Sequence, residues 1–140
     1  MKPFLLLSLI NYNIAMVLHA SFPDFILFLY VHISHADNRY DPHEMAIIKA
    51  KMYDLFSDGT DLEKKLYRTI REYNSFDKSK LSDLVEDTLK HFKLQTAVQT
   101  KVYTDLYEII QADGNIDQSE TKALEILKQI IDLHTEKNAP

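Results

Sequence analysis

Ala112-Asp113-Gly114-Asn115-Ile116-Asp117-Gln118-Ser119-Glu120 is a second version of Ala36-Asp37-Asn38-Arg39-Tyr40-Asp41-Pro42-His43-Glu44. The alanine, both aspartates and the closing glutamate coincide, and Asn38 stands opposite Gly114. Helical patterning precedes and follows each copy, so the pair reads as two helix–turn–helix units in one chain. Local physics accounts for the motif. A helix ends, and Gly114 or Asn38 takes the left-handed conformation that these residues tolerate. Ile116 or Tyr40 then packs inward. Asp117 caps the next helix with Glu120 three residues on, and Asp41 and Glu44 repeat the arrangement with Pro42 at the first helical position.

Working outward, helical stripes fill the rest of the chain. Ser21 is placed to cap a helix running through Phe25, Leu29, Ile33 and Ala36, with Pro23 in its first turn. The next begins at Asp41 and carries Met45, Ile48, Met52 and Leu55, ending near Asp58-Gly59. Thr60 and Glu63 have capping-box spacing for a helix with Leu62, Leu66, Ile70 and Tyr73 on one face. Three more stripes follow: Leu81, Leu84, Val85, Leu89 and Phe92; Val98, Val102, Leu106, Ile109 and Ile110; and Leu124, Leu127, Ile130 and Ile131. A polar tail starts at Thr135. No segment alternates as a strand should. The two glycines and four prolines all fall at breaks in the pattern, which suits helices and leaves little for hairpins. The expected fold is all-α, a single compact bundle of about seven helices over residues 1–140, with two pseudo-repeated halves.

The seventh of these helices is the N-terminal one. Lys2 ahead of Phe4-Leu5-Leu6-Leu7-Ser8-Leu9-Ile10 resembles the start of a secretory signal. Against that, Ser8, Asn11, Tyr12, Ala15 and His19 recur at spacings of three and four and form one polar stripe. An amphipathic core helix is the favoured reading, with membrane association and a cleaved signal as alternatives.

Composition excludes several classes of function. The 140 residues carry a net charge of −5, which offers no general attraction to nucleic-acid phosphates. The absence of cysteine removes disulfides, thiolate zinc sites and thiol nucleophiles. His43-Glu44 begins like a zincin motif, but Ile47 occupies the place of the second histidine. No Glu-x-x-His supplies a di-iron site, and there is neither a phosphate loop nor a Gly-x-Ser-x-Gly elbow. The expectation is that the chain is not an enzyme. The tyrosines follow the apolar stripes and read as core and rim, and Glu63, Lys64, Lys65, Arg68, Arg71 and Glu72 read as a solvated face.

Metal binding is the sharper reading of the repeat. Laid on an EF-hand loop, Asp113, Gly114, Ile116, Asp117 and Glu120 fall at familiar positions, but the opening carboxylate is absent from both copies. A self-contained high-affinity EF-hand is therefore not expected, while a shared, weak divalent site remains open if the fold brings Asp37, Asp41, Asp113 and Asp117 together. His32 and His35, one turn apart, could join Asp37 in a cluster or be partly buried polar residues.

The paired Ala-Asp-Gly-x-Ile-Asp-x-x-Glu motifs, with Leu66-Tyr67-Arg68-Thr69-Ile70-Arg71-Glu72-Tyr73-Asn74 between them, resemble the TerB-like family over about residues 25–133. That family includes tellurite-resistance TerB and the N-terminal domain of a membrane-anchored DnaJ-type co-chaperone. The resemblance implies a helical fold of two pseudo-repeated halves and a non-enzymatic part in stress or membrane-linked complexes. It also implies a weakly bound divalent cation on the motif's acidic residues, carried over residue by residue to Asp37, Asp41, Glu44, Asp113, Asp117 and Glu120. The first copy departs from the pattern at Asn38-Arg39, where Arg39 places a positive charge in the acidic loop, which makes the second copy the better metal candidate.

The function expected is a TerB-like interaction or stress-response module with a protein partner, possession of a weak cation site, and a cytoplasmic place that extends to the inner face of the membrane. The alternative is a helical accessory protein that docks on a membrane surface or membrane partner through its apolar N-terminal helices. A homodimer is open under either reading, and nucleic acid is expected under neither.

Overall fold

The computed structural model describes residues 22–36, 41–57, 59–92, 94–112 and 114–136. Six α-helices lie within them: α1 (Phe22–Ser34), α2 (Pro42–Leu55), α3 (Leu62–Ser75), α4 (Leu81–His91), α5 (Thr96–Ile110) and α6 (Gln118–His134). A single 3₁₀ turn, Lys78–Lys80, leads into α4. The bundle is all-α as the sequence predicts. The count is six rather than seven, because the expected N-terminal helix and its polar stripe fall outside the described residues.

The central element is α1, which packs on α2, α3, α5 and α6. Its sequence explains the position. Every residue from Phe25 to Val31 is buried, as are Ile33 and Ser34, and a helix apolar all round is stable only when surrounded. The outer helices are one-sided. Of α3, Leu66, Thr69 and Tyr73 are buried while the opposite face carries charge. In α6 the buried stripe is Glu120, Leu124, Leu127 and Ile131, a spacing of three and four that closes on α1, α4 and α5.

Helix starts follow side-chain chemistry. Asp41 sits at the N-cap of α2 and accepts from the amides of His43 (2.8 Å) and Glu44 (3.3 Å), with Pro42 at the first helical position. Asp117 caps α6 through the Ser119 amide at 2.6 Å. For α3 the cap is Asp61, which accepts from the Lys64 amide at 3.1 Å, and not Thr60 as the capping-box spacing predicts. Asp61 lies one residue closer to the apolar stripe. Gly114, at φ +82°, holds the left-handed position before α6, and its amide donates to Gln111 O.

Three further details correct the sequence reading. Ile116 does not pack inward but is 46% exposed. Tyr30 and Tyr73 are buried, whereas Tyr53, Tyr67 and Tyr107 are exposed beyond any rim position. The tail expected from Thr135 begins instead in a two-residue parallel ladder, where Leu94 and Gln95 pair with Thr135 and Glu136. Leu94 is buried at the α4–α5 connection, so the backbone that carries it needs partners, and the end of α6 supplies them.

Candidate site at the meeting of the two motif copies

Three helix ends converge beside Ser34, the last residue of α1. Glu44 lies in the first turn of α2 and Glu120 in the first turn of α6. Both side chains turn inward: Glu44 is 2% exposed and Glu120 1%. Their carboxyls face one another within hydrogen-bonding reach, and the Ser34 hydroxyl lies against Glu44. Ser34 Oγ and Glu44 Oε1 are buried, with no hydrogen bond of good geometry to either atom.

Two carboxylates cannot both stay charged in such a place. Burial first, then Glu120, pushes the Glu44 carboxyl up to about 9. Near neutral pH the pair therefore shares a proton, as closely spaced acids do. Glu120 Oε1 accepts the Asp117 amide at 3.4 Å, completing a capping box. The positive ends of both helices also point toward the pair.

Asp41 and Asp117 serve the same place differently. Each uses a carboxylate oxygen to bind backbone amides at a helix start, so each has a structural occupation whatever else it holds. Asp41 also lies 3.4 Å from the exposed His43 ring. Asp37 and Asp113 lie outside the described residues. Among the described residues no three histidine, aspartate or glutamate side chains gather in a group able to hold a metal ion. What the fold does bring together is the closing glutamate of each copy.

His32 and His35 do not point to a cluster of their own. His32 Nδ1 is 3.0 Å from the Tyr73 hydroxyl, and burial, reinforced by Lys78, lowers its pKa to about 4. A neutral ring hydrogen-bonded to a phenol is the result. His35 Nδ1 contacts Val31 O at 3.0 Å.

A third buried carboxylate escaped the sequence reading. Asp105 of α5, 4% exposed, accepts from the Tyr30 hydroxyl at 2.6 Å, from Lys51 at 2.9 Å and from Lys101 at 3.1 Å. Burial acts to raise its pKa, but these three donors outweigh burial and hold the carboxyl below its ordinary value. Lys51 also reaches Glu108. Only the Lys101–Asp105 pair was legible, through its spacing of four.

The family model of the tellurite resistance protein TerB matches residues 24–139, a span that contains both motif copies, all but the first two residues of α1 and the whole of α2 to α6. The chain belongs to the TerB family. No curated protein and no solved structure matches it. Within the TerB frame, the repeat unites two helix starts on one buried acid pair. Among the described residues, no helix is long and apolar enough to cross a membrane.

Proposed function

We propose that this TerB-family chain is a non-catalytic interaction module of a stress response, in which a weakly bound divalent cation joins the two motif copies. The observation that carries the reading is the buried Glu44–Glu120 pair. Two acids from opposite halves of a repeat face one another in a buried place. A proton satisfies them at low pH. A divalent ion would satisfy them better as pH rises, with Glu44 and Glu120 as its carboxylate ligands and Asp41 and Asp117 holding the two helix ends in place. Asp37 and Asp113 are the further acids that the motif supplies. The chemistry of such a cation is structural: it neutralises two buried charges and fixes one half of the bundle against the other. A protein partner that reads this clamped surface follows as the module's output, and tellurite stress is the setting that the family's description offers.

The test is the melting temperature of the full chain with calcium, magnesium, manganese or zinc, each against a chelator. With few carboxylates, the affinity belongs to the weak range of about 10⁻⁴–10⁻³ M. A hundredfold excess of ion over the dissociation constant adds about 2.7 kcal/mol to stability. Protons and cations compete for the pair, so the stabilisation grows from about pH 6 to about pH 8.5 and disappears in Glu44→Gln. No shift with any of the four ions at about 10 mM and the higher pH would refute the cation.

A further inference from the structure

Beside the end of α1, α3 and α6 both pack on α1 without packing closely on each other. The gap is a cleft of about 780 Å³, within the size range of small-molecule sites. The end of α1 forms its floor through His32 and His35, and Ile70 and Tyr73 form one wall. Lys78 and Lys122 enter from opposite sides, one from the 3₁₀ turn and one from α6. From this mouth an apolar recess of about 170 Å³ continues between α4 and α6, lined by Val85, Leu127 and Ile130.

The charge of the cleft runs against that of the molecule. The chain carries −5 overall, yet among the described residues lining the cleft none is Asp or Glu. Lys78 spends hydrogens on the carbonyls of Tyr73 and Phe76 and lies 4.3 Å from the Tyr73 ring centroid, so its charge is fixed at the rim. No described group makes an ion pair or hydrogen bond with the exposed Lys122. Ile126, 45% exposed, borders both the cationic mouth and the apolar recess. The recess is too small for a partner helix bearing side chains, but an unbranched alkyl chain can enter it.

We propose that this cleft binds a single-chain amphiphile with a carboxylate head, the head between Lys78 and Lys122 and the chain in the recess beyond Ile126. The occupant must supply the negative charge that the cleft lacks and an apolar body thinner than a helix. The chain's own residues 1–21 do not supply the charge, since they contain no aspartate or glutamate and carry the cationic Lys2.

Dodecanoate below its micelle concentration is the probe, with dodecyltrimethylammonium as the cationic counterpart of equal chain length, titrated into the full chain by calorimetry and methyl NMR. Dodecanoate binds with a dissociation constant of about 0.1–1 mM, as its few heavy atoms allow, and shifts the methyls of Ile126, Ile130 and Leu127. The ammonium compound binds at least about tenfold more weakly. Lys122→Glu and Ile126→Gln, both at exposed positions, each weaken dodecanoate by about tenfold while leaving the melting temperature of the ligand-free chain in place. Equal binding of the two amphiphiles overturns the proposal, as does dodecanoate binding that both variants leave untouched. The cysteine-free chain also accepts a spin label at Ser8→Cys. Broadening of the Ile126 methyl by that label, with no response to dodecanoate, would put the chain's own N-terminus in the cleft and overturn the amphiphile.

Discussion

The protein buries carboxylates in two places and treats them in opposite ways. Asp105 is surrounded by donors: a tyrosine from α1, a lysine from α2 and a lysine from its own helix. Its pKa falls despite burial. Glu44 and Glu120 face each other, and the Glu44 pKa climbs through burial and the neighbouring acid. The first arrangement is a closed network that ties three helices together. The second sets one acid against another, and it sits where the repeat brings its two halves into contact. Burial alone does not decide what a carboxylate is for; its counter-charges do.

The largest effect should come from breaking the closed network. Asp105→Asn keeps the shape but removes the charge that Lys51 and Tyr30 are built around. Breaking a buried pair in this way costs about 3 kcal/mol or more, read as a lower urea midpoint at unchanged slope. A loss below about 1 kcal/mol would mean that water already satisfies Lys51 and that the network is not closed.

The same kind of change at the open pair should act in the other direction. Glu44→Gln removes one of two facing acids and leaves an amide able to donate to Glu120. In chelator at about pH 8, it should stabilise the chain by about 1–2 kcal/mol. The sign follows from linkage. The folded chain holds the Glu44 proton up to about 9 against an ordinary value of 4.5. Between those values it binds more protons than the unfolded chain, so stability falls as pH rises through the window. The wild-type profile should slope down and the variant's should be flat. If Glu44→Gln instead destabilises as much as Asp105→Asn, the two carboxylate sites are alike and the comparison fails.

His32 supplies the opposite limb of the profile. Its folded pKa of about 4 lies below the ordinary 6.5, so between those values the unfolded chain binds the extra proton. Stability from this group is complete above 6.5 and is lost as pH falls toward 4. His32→Gln keeps a donor for the Tyr73 hydroxyl and should remove this acid limb while leaving the alkaline slope of the Glu44 pair intact. Melting temperatures of both single variants and their combination, taken across the range, should separate the limbs additively. Persistence of the acid limb in His32→Gln would assign it to another group.

What could be read in advance follows the range of the interaction. Helix faces, the Asp41 and Asp117 caps and the left-handed Gly114 each depend on residues within a turn or two, and each is where the sequence places it. The shift of the α3 cap from Thr60 to Asp61 is local competition between two good capping residues in adjacent positions. Ile116 is exposed because a hydrophobic side chain in a short turn is free to face out once α1 has filled the core. The Tyr30–Asp105 bond joins residues far apart in sequence, and nothing in either neighbourhood announces the other. The acid pair stands between these cases. Its members were named from the motif, but their burial against one another is a property of how α2 and α6 dock on α1.

The smallest predicted effect asks whether the turn of the second copy belongs to the acid pair or only to the backbone. Gly114 has φ +82° and nothing within 4 Å of the position a Cβ would take. Gly59, in the α2–α3 connection outside the motif, has φ +89° and equally open surroundings. In both, alanine meets no clash with a neighbour but takes on the backbone strain of positive φ, about 1 kcal/mol. Gly114→Ala and Gly59→Ala should therefore lower the melting temperature by similar amounts in chelator. With a divalent ion at high pH the two should part. Gly59→Ala should gain as much from the ion as the wild type does. Gly114→Ala should gain less, because strain before Asp117 disturbs the helix start that presents Glu120. Equal gains in both variants would make the turn of the second copy plain backbone geometry and confine the cation's contacts to Glu44 and Glu120.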